Sequence, residues 1–209
     1  WQVWPDLLFA HWPVRPEVLR PTIPAGLELD LFEGRAWVGV VPFRMSGIRL
    51  RAQPFVAPWL GAFPEMNVRT YVTAPRGAQP GVYFYSLDAG NPVAVAIARR
   101  WYHLPYFYSR MFMREVDGWI DYESWRVHPG APRTRFRGRY RPVGEPYQAQ
   151  RGTLEAWLTE RYALYTTDPD GRPLRGEIHH IPWPLQRAEA ALEFKALTAP
   201  HGIHLPDQP

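Results

Sequence analysis

Glu65-Met-Asn-Val-Arg-Thr-Tyr-Val-Thr73 sets Met66, Val68 and Thr70 against Glu65, Asn67, Arg69 and Tyr71 in strict alternation. A period of two is the signature of an extended strand, whose successive side chains leave on opposite faces. One face is fit for a core. The other carries a carboxylate, an amide, a guanidinium and a phenol in one row. That row either meets solvent or lines a pocket, and alternation alone does not separate the two.

Working outward, further strands are expected on both sides. Arg35-Ala-Trp-Val-Gly-Val-Val-Pro42 is β-branched and apolar and follows the turn-like Phe32-Glu33-Gly34. Gly81-Val-Tyr-Phe-Tyr-Ser-Leu87 is rich in aromatics, and Trp119-Ile-Asp-Tyr-Glu-Ser-Trp-Arg-Val127 alternates. Arg133-Thr-Arg-Phe-Arg-Gly-Arg-Tyr-Arg141 puts arginine at every second position. The 24 prolines, spread along the chain, exclude long helices over most of it. Three helical pieces remain. Pro16-Glu-Val-Leu-Arg20 is one short turn, and Val93-Ala-Val-Ala-Ile-Ala-Arg-Arg100, without alternation, reads as a short helix or a buried strand, with helix favoured because Pro92 suits a first turn. Thr153 to Tyr165 repeats Leu154, Trp157, Leu158, Tyr162 and Tyr165 at helical spacing behind a capping Thr153. Asp168-Pro-Asp-Gly171 is a turn, and Pro142-Val-Gly-Glu-Pro146 a loop. With no linker or repeat, residues 1–209 are expected to form a single domain. Its class is mainly β with flanking helices (α+β), a curled sheet or barrel.

Composition narrows the chemistry. The chain lacks cysteine, so it has neither disulfides nor thiolate chemistry, and its only lysine is Lys195. The pI of about 9.5 sits beside a net charge of only +4 because arginine fills all but one of the 24 basic positions. No apolar run approaches the roughly 20 residues of a membrane span, and residues 1–9 lack the basic start and long apolar stretch of a secretory signal. A bacterial, cytoplasmic protein is the expectation, and homo-oligomerisation stays open. Nucleotide-binding glycine loops and the serine elbow are absent from the sequence.

Candidate site residues are Glu65, Asn67, Arg69, His103 and Tyr106. Arg99-Arg-Trp-Tyr-His-Leu-Pro-Tyr-Phe-Tyr-Ser-Arg110 is the densest mixture of titratable and aromatic groups, and Pro105 would fix where His103 points. The bland alternative for His103 is a hydrogen-bonded core histidine. His179 and His180 would diverge on a strand, and the sequence has neither an HExxH helix nor a cysteine set for zinc, so no metal and no cofactor is expected. His201 and His204 read as surface residues. The Arg133–Arg141 ladder is the best RNA-binding candidate. Its Phe136 and Tyr140 fall on the opposite face, however, so an outer face paired with carboxylates explains it more simply.

The order of motifs carries a resemblance. His11-Trp-Pro-Val-Arg-Pro-Glu-Val-Leu19 is followed by Ile23-Pro-Ala-Gly-Leu-Glu-Leu-Asp30, Ala36-Trp-Val-Gly39 and Phe63-Pro-Glu-Met-Asn-Val-Arg-Thr-Tyr-Val72. Then come Gly81-Val-Tyr-Phe-Tyr-Ser-Leu-Asp-Ala89, His103-Leu-Pro-Tyr106, Leu158-Thr-Glu-Arg-Tyr-Ala-Leu-Tyr165 and His180-Ile-Pro-Trp-Pro-Leu185. Over nearly the whole chain this set resembles the YqjF-like family of uncharacterised bacterial proteins, which is similar in fold to acetoacetate decarboxylase. The resemblance implies a cone-shaped β-barrel with flanking helices and an internal pocket. The decarboxylase forms a Schiff base on a lysine. Its arginine, and its proline followed by two lysines, fall on Arg99 or Arg100 and on Pro105-Tyr106-Phe107. Phenol and benzyl groups form no imine, so that chemistry should be missing. Glu65 matches a glutamate of the decarboxylase pocket, which brings the pocket reading of its row level with the solvent-facing one. The expected function is small-molecule binding, of a carboxylate or aromatic ligand. The alternatives are a lysine-independent lyase or hydrolase using Glu65 or His103 as base and Tyr106 as acid, and RNA binding through the arginine ladder.

Overall fold

The computed structural model describes residues 2–48, 61–75, 78–206 and 208–209. Strand β1 (Ala10–Val14) is followed by the short helix α1 (Pro16–Leu19), β2 (Glu28–Leu29) and β3 (Ala36–Met45). Next come β4 (Phe63–Ala74), β5 (Ala78–Ala89), helix α2 (Pro92–Tyr102), β6 (Tyr106–Val116), β7 (Trp119–Arg126) and β8 (Arg135–Gln148). Helix α3 (Leu154–Thr159), β9 (Ala163–Thr167), β10 (Pro173–Glu177) and β11 (Pro184–Lys195) complete the set.

The strands form one sheet in the order β1-β3-β4-β5-β6-β7-β8-β11, with β2 on β4 and the pair β9-β10 branching from β5. Neighbours are antiparallel except β5 with β6 and β5 with β9. The β5–β6 parallel step needs a crossover, and α2 supplies it. Asn91 opens α2 by accepting from the amides of Val93 and Ala94, and Pro92 takes the first turn, where its missing N–H costs nothing.

The sheet curls until its end strands meet. Trp12 of β1 packs edge-on against Phe194 of β11 at 5.7 Å between ring centroids, with no ladder joining the two strands among the described residues. The enclosed face holds the main core: Trp12, Val38, Val40, Met66, Val68, Tyr122, Phe136 and Leu192 are all buried there. Met66, Val68 and Thr70 of β4 therefore point into the curl. Glu65, Asn67, Arg69 and Tyr71 point out of it, yet they do not meet solvent. Apolar clusters cover both ends of that outer face, one with Val95 of α2 over Phe43 and Phe63, the other with Leu158 of α3 over Tyr71 and Val82.

Two local expectations fail. The helix expected through Tyr165 stops at Thr159, and residues 163–167 are strand β9, paired with β5 and β10. Ala163 and Tyr165 alternate as well as they repeat at helical spacing, and ladder partners decide in favour of the strand. The loop expected at residues 142–146 lies inside β8. Beyond Tyr140 that strand has only β11 beside it, across a register shift between Leu185 and Arg187. Pro142 and Pro146 sit there as prolines do on sheet edges and at bulges.

Candidate outer-face site on β4

Strand β4 sits between β3 and β5, and its register places the outward row. Glu65 lies opposite Phe43 and Ala89, Asn67 opposite Val41 and Leu87, and Arg69 opposite Gly39 and Phe84. Tyr106 joins the row through the parallel pairing of Leu87 with Tyr106. Its hydroxyl donates to Glu65 Oε1 at 2.9 Å. Glu65 is 2% exposed. Burial among apolar groups pushes its carboxyl up to about 8, against the downward pull of the Tyr106 bond. Burial and the neighbouring Glu65 carboxylate hold the Tyr106 phenol well above its ordinary value.

The other end of the row is a second proton-bearing pair. His11 lies opposite Gly39 across β1 and β3, and its Nε2 is 2.6 Å from the Tyr71 hydroxyl. Gly39 makes this possible: a Cβ there would stand 2.8 Å from His11 Nε2 and 3.4 Å from Arg69 Cγ. Burial, and then the Arg69 charge, hold the His11 imidazole well below its ordinary value. Tyr71 is raised by burial and pulled back by the Arg69 and Arg161 charges.

Between the two pairs stand Asn67 and Arg69. Asn67 is 6% exposed and its Oδ1 has no hydrogen-bond partner. The Arg69 guanidinium lies 5.4 Å from the centre of the Phe9 ring and 5.7 Å from that of Tyr71, and its buried Nε has no partner either. A terminal nitrogen makes a long hydrogen bond, 3.5 Å, to the Leu158 carbonyl, and the guanidinium also interacts with the Tyr71 phenol. Aromatic rings wall the row: Trp183 meets Phe9 edge-on and stacks on Trp4, and His180 lies between Trp183 and Tyr162.

Glu65, Asn67, Arg69 and Tyr106 thus share one face, and His103 does not join them. His103 ends α2 in the left-handed conformation, its carbonyl accepting from Thr166 Oγ1 at 2.6 Å. Its side chain is exposed beside a concavity of about 450 Å³ lined also by Tyr83, Tyr85, Arg99, Phe107 and His201. His201, expected at the surface, is half-buried against the Tyr85 ring. His179 is exposed, and no group of three His, Cys, Asp or Glu able to hold a metal occurs among the described residues. No helix among them is long and apolar enough to cross a membrane.

The arginine ladder on β8 points outward with Phe136 and Tyr140 buried beneath it. Arg137 pairs with Glu123, Arg139 with Asp121 and Arg141 with Glu189. Lys195 is exposed at the end of β11, opposite Arg135.

Two features escaped the reading of the sequence. Phe9 and His11 alternate with Ala10 and Trp12, a signal visible before Pro13 but short. The buried bidentate pair of Arg126 with Asp88, at 2.7 and 3.0 Å, gave only the signal that Arg126 falls on the inward side of β7. Phe107 stacks on that guanidinium, 4.3 Å from ring centre to Cζ, inside the curl.

Comparison with known proteins agrees with this architecture. The chain is 46% identical over 206 residues to the uncharacterised protein YqjF of Bacillus subtilis (strain 168), covering 99% of this chain and 83% of that one. The acetoacetate decarboxylase of Legionella pneumophila superposes with a TM-score of 0.60 at 13% identity, over 90% of this chain and 70% of the other. The enduracididine biosynthesis enzyme MppR in its pyruvate complex gives 0.54 at 13%, over 90% and 82%. Those identities carry the fold and nothing finer. The curled sheet and the match of residues 1–209 to the uncharacterised conserved proteins of DUF2071 place this chain in that family.

Proposed function

We propose that the outer face of β4 binds a small carboxylate with a ring-bearing or otherwise apolar body, and that the chain is a small-molecule binding protein of this fold without a Schiff-base lysine. The supporting observation is Arg69. The two other buried arginines, Arg126 of β7 and Arg161 between α3 and β9, each hold an aspartate, Asp88 and Asp30. Arg69 is half-buried between two rings and has no carboxylate within ion-pair distance among the described residues. A guanidinium taken out of water without a counter-ion is costly, and a bound carboxylate supplies one with matching geometry. Phe9, Trp4 and Trp183 offer the apolar surface that small-molecule sites use for the rest of the ligand.

The test is a thermal-shift and calorimetric screen of aromatic and aliphatic carboxylates against the wild type and Arg69→Met, which keeps the stem and removes the charge. Binding that disappears in the variant supports the reading. A screen without binders, or binding indifferent to Arg69→Met, overturns it.

A second reading keeps the same site and adds catalysis, on the observation that Glu65, pushed up to about 8, is hydrogen-bonded to Tyr106. Such a carboxyl is able both to give and to take a proton near neutral pH. Turnover of a bound carboxylate that is lost in Glu65→Gln while binding persists would select it. RNA binding gains little support from the ladder, because Arg137, Arg139 and Arg141 already pair with carboxylates.

A further inference from the structure

The Asn67 amide narrows the ligand class, on the reading that Arg69 takes a carboxylate. Asn67 has apolar neighbours on both sides in the sheet, Val41 and Leu87, so the ladder offers its side chain nothing. Along the strand its outward neighbours are Glu65, occupied by Tyr106, and Arg69, whose donors make no hydrogen bond to it among the described residues. The amide oxygen is sealed from solvent and has no hydrogen-bond partner among the described residues. A buried amide left in that state is destabilising, so its presence points to an occupant. An amide carries both an acceptor and two donors, and it is best matched by a group that both donates and accepts. Residues two apart on a strand are about 7 Å apart, so both side chains lie within reach of one small molecule.

Charge decides which group that is. An ammonium would sit near the Arg69 cation. The one carboxyl in the row, Glu65, is mostly protonated at neutral pH and gives it no counter-charge. A neutral hydroxyl carries no such penalty. A keto oxygen only accepts, and it leaves the Asn67 oxygen unpaired.

We propose that the occupant is a hydroxy acid, with its carboxylate on Arg69, its hydroxyl on the Asn67 amide and its apolar remainder against Phe9 and Trp183. The probes are phenyllactate, phenylpropionate, phenylalanine and phenylpyruvate, which share one ring and one carboxylate and differ in the intervening group. Calorimetry on the intact chain should rank phenyllactate first, about ten-fold tighter than phenylpropionate. That preference should fall to about unity in Asn67→Leu, which keeps the branching at Cγ and removes the amide. Arg69→Met should abolish all binding in the series. Equal affinity for phenyllactate and phenylpropionate, tighter binding of phenylalanine or phenylpyruvate, or a preference that survives Asn67→Leu each overturns the hydroxy-acid assignment while leaving carboxylate binding standing. Binding unaffected by Arg69→Met, or no binding by any probe, overturns both. A crystal structure grown with phenyllactate that shows only water on Asn67 overturns the assignment directly.

Discussion

The Tyr106 phenol donates to the buried Glu65 carboxyl across strands that are not neighbours, β6 and β4, with β5 between them. The bond spans 41 residues of sequence and sits where burial has already displaced the Glu65 titration upward. Its consequence is a definite pH dependence. From the ordinary value of 4.5 to about 8 the unfolded chain has released the Glu65 proton and the folded chain still holds it. Stability from this group is therefore complete at low pH and is lost as pH rises through that window, by at most about 1.4 kcal/mol per pH unit. Urea unfolding of wild type and Glu65→Gln from acid to mildly alkaline pH should show the wild type losing ground steadily to the variant. Tyr106→Phe removes the one hydrogen bond pulling the carboxyl down, so it should extend the loss to higher pH. A constant difference between wild type and Glu65→Gln would show that the carboxyl is not held protonated.

Gly39 and His11 form a second, purely steric coupling. A methyl group on Gly39 would press on the imidazole that bonds Tyr71. Gly39→Ala should destabilise by about 1–3 kcal/mol, the usual cost of overpacking. His11 bears the opposite sign from Glu65: its depressed titration means that stability is present above its ordinary value and is lost as pH falls below it. In His11→Gln that acid-side loss should be smaller, and Gly39→Ala should add little further destabilisation to it. Additive effects of the two substitutions in denaturant titrations would break the coupling.

How much of this could be read beforehand depended on which forces act locally. Strands β4 and β7 were legible because apolar alternation is written into consecutive residues, and β3 and β5 because β-branched or aromatic residues run together there. Strand β11 was not, since Ala188-Glu-Ala-Ala-Leu-Glu193 consists of good helix formers and becomes strand only by pairing with β8. Within the site, the row Glu65, Asn67, Arg69 followed from parity, and Tyr106 from the resemblance. The position of His103 on a different surface depended on where α2 ends, a left-handed residue that sequence spacing does not mark. The covered outer face was equally hidden, because the groups that cover it come from residues 4, 9, 95, 157 and 183, far apart in the chain.

The Asp88–Arg126 pair, 0% and 3% exposed, lies within the curl. Removing one partner strands a buried charge, so Asp88→Leu or Arg126→Met alone should cost about 3–5 kcal/mol. Replacing both, as Asp88→Leu with Arg126→Met, should cost far less than the sum. A double-mutant cycle by urea unfolding measures this, and additivity would show the pair to be screened.

No imine is expected at the β4 row. Lys195 is exposed on β11, and the row that faces Tyr106 contains no amine. Borohydride added in the presence of pyruvate or acetoacetate should therefore leave the intact mass unchanged, and Lys195→Arg should bind carboxylates as the wild type does. A stoichiometric adduct on Lys195 would require a different site from the one on β4.

Asn67 lets function and stability be set against each other. Its buried amide lies between Val41 and Leu87, its oxygen without a hydrogen bond among the described residues, so leucine at that position removes a desolvated polar group and adds apolar contact. Asn67→Leu should raise stability by about 1–3 kcal/mol in the absence of ligand. At the domain sizes for which the relation is known, that corresponds to a rise in Tm of several degrees. Stabilisation by loss of a polar residue is the expected trade-off where a site is kept for binding. A lower Tm for Asn67→Leu would mean that the amide is already satisfied, by water or by the protein, and that it does not wait for a ligand.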